Sequence, residues 1–216
     1  EKGWDATRAD RLERQKAMGL IDQDTPLPER NPGVKAWDDY DDEAKESMVR
    51  LQAAFAGMVQ HTDEHLGRLV ASLEEMGELD NTMFVLFSDN GASQEGGEVG
   101  SLNSMRFFTG YTTPEAELKE IHDNLETIGA EQWINNYSIG WSMAGNTPLK
   151  RWKQDTHGGG VRSPLIIRWP GEIADPGGLR RQFHHAIDIT PTALDVTGMT
   201  MPEQVKGVDQ KPLEGT

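Results

Sequence analysis

Between Asp41 and Met76 an apolar pattern runs through Ala44, Met48, Leu51, Phe55, Met58, Thr62, Leu66, Leu69, Leu73 and Met76, in steps of three and four residues. Only an α-helix puts all of those positions on one face. Asp41 or Asp42 is placed to cap its first amides and Gly77 to end it, and at 1.5 Å per residue the helix would run about 50 Å. It leads directly into Met83-Phe84-Val85-Leu86-Phe87, which is too short and too continuously apolar for an amphipathic helix. This second stretch reads as a strand buried on both faces. A long helix feeding such a strand is a unit of a layered α/β fold.

The strand breaks off in Ser88-Asp89-Asn90-Gly91. In an open α/β sheet ligands gather beyond the carboxyl ends of the strands, which is where Asp89 and Asn90 are left. A carboxylate beside a side-chain amide offers two hard oxygen ligands to a divalent cation, and Gly91 lets the chain turn away. The competing reading is an Asp-Asn-Gly turn closing a hairpin. Leu165-Ile166-Ile167, bounded by Pro164 and by Trp169-Pro170-Gly171, predicts a second buried strand. Thr190 and Pro191 announce a short helix that Gly198 stops.

Residues 1–40 are polar, with Pro26, Pro28, Pro32 and Gly33 interrupting their second half. They read as an extended surface segment with a short helix between Trp4 and Gly19. Lys plus Arg number 21 against 36 Asp plus Glu, a net charge of −15 that repels nucleic acid and anionic membranes. No apolar run approaches the length of a bilayer span, and the first residues have no signal-peptide character. The absence of cysteine removes disulfides and thiolate metal sites without identifying a compartment. At 216 residues, one large domain or part of one is more natural than two small ones. The chain starts without Met, and both ends are expected to be cut from something longer.

Ser88-Asp89-Asn90-Gly91, followed by Lys153-Gln-Asp-Thr-His157-Gly-Gly-Gly160-Val-Arg162-Ser-Pro164, resembles the second half of a formylglycine-dependent sulfatase of the arylsulfatase branch. The resemblance extends to Gly3-Trp4-Asp5, Asp63-x-x-x-Gly67-Arg68-Leu69, Asn146-Thr147-Pro148 and Ile187-Asp188-Ile189-Thr190-Pro191-Thr192. It implies an alkaline-phosphatase-like α/β sandwich with a central mixed, mostly parallel sheet. Residues 1–216 would be one partial catalytic domain, incomplete on its N-terminal side, with 41–216 as the core portion. The resemblance also implies a Ca2+ site, with Mg2+ or Mn2+ as alternatives, to which Asp89 and Asn90 contribute. Lys153 becomes the sulfate-binding lysine, with Lys150 and Arg151 one misalignment away. His157 matches a position sometimes held by His, either protonating the leaving oxygen or making a structural bond.

The partners implied are a small-molecule or carbohydrate sulfate ester and the missing N-terminal part of the same domain. The formylglycine nucleophile lies outside this chain: Pro26-x-Pro28-x-Arg30 has the proline and arginine of its motif, but Pro26 stands where Cys or Ser is needed. Without that nucleophile, residues 1–216 alone are expected to be inactive. Gly158-Gly159-Gly160 departs from the Glu-Gly-Gly of many relatives. His61 and His65 have the spacing of a zinc pair, but with no third ligand in sequence they read as a solvated helix face. Two other classes remain: a phosphodiesterase or phosphonate monoester hydrolase of the same superfamily, and a non-catalytic sulfatase-like scaffold.

Overall fold

The computed structural model describes residues 2–110 and 112–216, which form two compact units, Glu1–Pro176 and Gly177–Thr216. The first holds α1 (Gly3–Ala17), α2 (Asp42–Glu75), β1 (Phe84–Phe87), α3 (Arg106–Thr109), α4 (Pro114–Asp123), α5 (Ile139–Gly145), α6 (Gly158–Val161) and β2 (Leu165–Arg168).

Its core is helical. The buried residues Trp4, Trp37, Met48, Leu51, Leu102, Ile121, Trp141 and Met143 form one cluster, with α1 packed on α5 and α2 on α4. Trp4 anchors it, edge-on to Trp37 at 4.7 Å and to Trp141 at 6.0 Å between ring centroids. Its indole N–H donates to the carbonyl of Lys35 at 3.2 Å. A Cβ on Gly140 would lie 2.5 Å from the Trp4 ring, so the glycine makes room for the indole. The helix predicted between Trp4 and Gly19 forms, but the surface placement of residues 1–40 is corrected, since Trp4, Leu12, Val34 and Trp37 are buried. Polar neighbours hide this in the sequence, because a few large rings carry the segment's apolar area.

α2 starts where the pattern places it, with the Asp41 carboxylate accepting the Ala44 N–H at 2.9 Å. Its apolar seam is buried only in the first half, at Ala44, Met48 and Leu51. Beyond Gly57 the seam continues into solvent, with Met58, Leu69 and Met76 exposed.

β1 and β2 form where predicted but pair antiparallel, Phe84 opposite Arg168 and Phe87 opposite Leu165. The expected mostly parallel sheet is not what these two strands make, although a mixed sheet accommodates one antiparallel pair. The prediction that both are buried is also corrected: Leu86, Phe87, Leu165, Ile166 and Ile167 are exposed. A two-stranded sheet leaves each strand an open edge and uncovered faces.

The second unit contains α7 (Ile189–Thr197), closed by a left-handed Gly198, and a hairpin of β3 (Gln204–Val205) and β4 (Val208–Asp209). Lys206 and Gly207, at φ 52° and 80°, make its turn. Thr190 lies inside α7 and not at its cap. The entry is made by Asp188, whose carboxylate accepts the His185 N–H at 2.8 Å, while the His185 ring takes the Ile187 N–H at 3.3 Å. Among the described residues no helix is long and apolar enough to cross a membrane.

Candidate functional site

The site begins where β1 ends. The Ser88 hydroxyl donates to the Asn90 carbonyl at 2.7 Å, and the Asn90 side-chain amide donates to the Gly91 carbonyl at 2.9 Å. That bond uses the nitrogen of Asn90 and leaves its side-chain oxygen available. Asp89 is exposed, and its carboxylate has no hydrogen bond or ion pair among the described residues.

From Gly91 onward this loop interlocks with residues 146–160. The Gly91 N–H donates to the Gly160 carbonyl at 3.2 Å. The Ala92 N–H donates to the Asn146 side-chain oxygen at 3.0 Å, and the Asn146 amide donates to the Arg151 carbonyl at 2.9 Å. The Lys153 N–H donates to the Ala92 carbonyl at 3.0 Å. Backbone density explains the glycines, since a Cβ on Gly159 would lie 2.0 Å from the Arg151 carbonyl oxygen and one on Gly160 2.0 Å from that of Asp155. Arg151 and Gln154 adopt left-handed φ values of 68° and 78°, uncommon for side chains of their size and frequent at functional loops.

Lys153, the predicted sulfate-binding lysine, is thereby brought beside the loop that follows Asp89 and Asn90. Its ammonium pairs with the Glu95 carboxylate at 2.8 Å, where the Glu95 side chain is 12% exposed and that of Lys153 33%. The Lys153 hydrogen bond holds the Glu95 carboxyl below its ordinary range, against the opposing effect of burial. Lys150 is exposed, and its side chain has no partner among the described residues. His157 caps the short α6 through its carbonyl, which accepts the Gly160 N–H at 2.8 Å. Its exposed ring makes no hydrogen bond to Lys153, Asp89 or Asn90.

Asp89 and Asn90 fit a hard divalent cation in donor type, as two members of a shell that wants six or more oxygens. Among the described residues, no group of three or more His, Cys, Asp or Glu is placed to hold a metal. His61 and His65 are exposed on α2, where their rings hydrogen-bond each other at 3.0 Å and Arg68 meets His65 at 3.2 Å. Next to Glu95 opens a cavity of about 200 Å³ lined also by Glu98, Ser101, Arg106, Phe107 and Glu117. Its acidic residues are ion-paired, Glu98 with Lys35 and Glu117 with Arg106.

The family model described as Sulfatase matches residues 20–199. The chain belongs to the sulfatase family. It is 32% identical over 202 residues to an uncharacterized sulfatase of Schizosaccharomyces pombe, covering 93% of this chain and 35% of that protein. It is 26% identical over 214 residues to an arylsulfatase of Klebsiella aerogenes, covering 99% and 43%. A steryl-sulfatase of Rattus norvegicus is 27% identical over 165 residues, covering 76% and 22%. This sulfatase chain thus spans less than half the length of these curated relatives.

Membership fixes an α/β fold of the alkaline-phosphatase-like kind at the coarse level. A Cβ on Gly158 would meet the Leu149 side chain at 3.3 Å, whereas Gly159 and Gly160 are required by backbone contacts. Sequence reasoning missed Glu95, Gln154 and the bridging role of Asn146. The only signal for Glu95 was its place in the loop after Gly91, and no periodicity links it to Lys153.

Proposed function

We propose that residues 1–216 are the C-terminal-ward portion of a sulfatase catalytic domain, an α/β sandwich with a central mixed, mostly parallel sheet, which hydrolyses a small-molecule or carbohydrate sulfate ester. The observation that supports this reading is the interlock of the 88–95 loop with residues 146–160, in which the Lys153 N–H donates to the Ala92 carbonyl, two residues beyond Asn90.

Cleavage of the ester breaks the bond between sulfur and the alcohol oxygen, and negative charge spreads over the nonbridging oxygens. Lys153 offers that charge a held ammonium, where a fixed donor stabilises more than mobile water does. Asp89 and the side-chain oxygen of Asn90 would hold the cation, Ca2+ or alternatively Mg2+ or Mn2+. His157, exposed at the start of α6, is the candidate proton donor to the leaving oxygen. A formylglycine from outside residues 1–216 supplies the nucleophile, and the bound cation supplies electrophilic charge.

The test is hydrolysis of 4-nitrophenyl sulfate by the complete protein carrying this chain, with 4-nitrophenyl phosphate and a phosphonate monoester compared alongside. Turnover of the sulfate that chelation abolishes and Ca2+ restores supports the reading. Preference for either phosphorus ester, or no turnover of any of the three, would overturn it.

A further inference from the structure

We propose that Glu95 is the positioning residue for Lys153, a fixed carboxylate that holds the ammonium in one place for the sulfate group. This rests on the reading of Lys153 as the sulfate-binding lysine and adds a residue to it.

A lysine side chain is long and free to rotate, so an unheld ammonium has no defined direction. Here it is held at 2.8 Å by a carboxylate that is itself fixed from several sides. Glu95 accepts from the Ser93 hydroxyl at 3.2 Å and from the Gln154 amide at 3.2 Å. Its own N–H donates to the Ser93 hydroxyl at 3.1 Å. Ser93 in turn is tied to the buried core. Its N–H donates to the Tyr137 hydroxyl at 3.2 Å, its hydroxyl accepts from Asn136 at 3.0 Å, and its carbonyl accepts from Ser142. Gln94 closes the arrangement by donating to the Gln154 side chain at 3.2 Å.

The ammonium is therefore connected through Glu95 and Ser93 to the interior, while neighbouring Lys150 has no such support. An ammonium carries three donors, and Glu95 occupies one direction, leaving others for the oxygens of a sulfate. The hydrogen bond from Lys153 lowers the pKa of the Glu95 carboxyl, which favours its ionised form, the form a holding carboxylate must have.

A double-mutant cycle in the complete sulfatase separates positioning from simple structural support. Glu95→Ala is expected to lower kcat about tenfold or more with KM little changed, since a displaced group is felt chiefly in the transition state. In a Lys153→Ala background the same change should alter kcat less than about twofold, because nothing remains to position. Glu95→Gln, which keeps size and hydrogen-bonding capacity, is run through the same cycle and carries the test if the alanine variant does not fold. Equal losses in both backgrounds would make Glu95 structural and overturn the inference. So would parent-like activity of the Glu95 variants beside an impaired Lys153→Ala, which leaves the lysine assignment standing. Parent-like activity of Lys153→Ala would overturn the lysine assignment itself, and this inference with it.

Discussion

A Cβ placed on Gly91 would lie 1.6 Å from the carbonyl oxygen of Gly159. Two backbones that close leave no path for a side chain, and the contact locks the end of β1 to the loop carrying Lys153 and His157. Gly91→Ala is expected to destabilise the complete sulfatase by about 2 kcal/mol or more, because the clash is with backbone and not with a flexible side-chain end. Gly57→Ala is the control: that position on α2 meets nothing within 4 Å, and a helix-interior alanine should stabilise by about 0.5–1 kcal/mol. Urea unfolding followed by tryptophan fluorescence reads both.

Lys153→Ala in the complete sulfatase should lower turnover by about 10²–10³-fold, the range for losing one preorganised donor. Lys150→Ala, a few residues away and exposed without a side-chain partner, should change it by much less. Steady-state kinetics on an aryl sulfate decides, and equal effects would remove the assignment to Lys153.

Residues 1–216 on their own should hydrolyse no aryl sulfate above background and bind Ca2+ weakly, since the proposed function puts the nucleophile and most ligands outside them. They should also self-associate, because Leu69, Phe87, Ile166 and Ile167 are exposed and the paired strands have open edges. Sedimentation velocity across a concentration series measures this, and replacing Ile166 with Lys should reduce the association.

The ion pair of Glu95 has a pH signature. A carboxyl with a depressed folded-state value adds stability that is present above 4.5, its ordinary value, and is lost as pH falls through the lower folded value. The stability difference between the parent and Glu95→Gln should therefore be full near neutrality and vanish in acid. Carbon NMR of the Glu95 carboxyl should show a midpoint below 4.5 that rises in Lys153→Ala, since the lysine hydrogen bond is the main cause of the shift.

Local rules set much of this chain in advance. The steps of three and four, the Asp41 cap and Gly77 specify α2, because helix periodicity and capping involve residues within a turn or two of each other. The same holds for the runs that become β1 and β2, and for the left-handed glycine that stops α7. Asp89 and Asn90 were legible as candidate site residues from their place at the end of a strand-like run, and Lys153 from the resemblance of its contiguous motif. Tertiary structure decided what depends on distant partners. It set β1 against β2 antiparallel, since neither run encodes its neighbour, and it left β2 and the end of β1 exposed, since burial of a strand depends on what covers it. Trp4 became a core residue because Gly140, far along the chain, leaves space for its ring. Glu95 met Lys153 because Asn146 and the glycine contacts fold two separated loops together, and an ion pair between separated loops has no pattern in sequence.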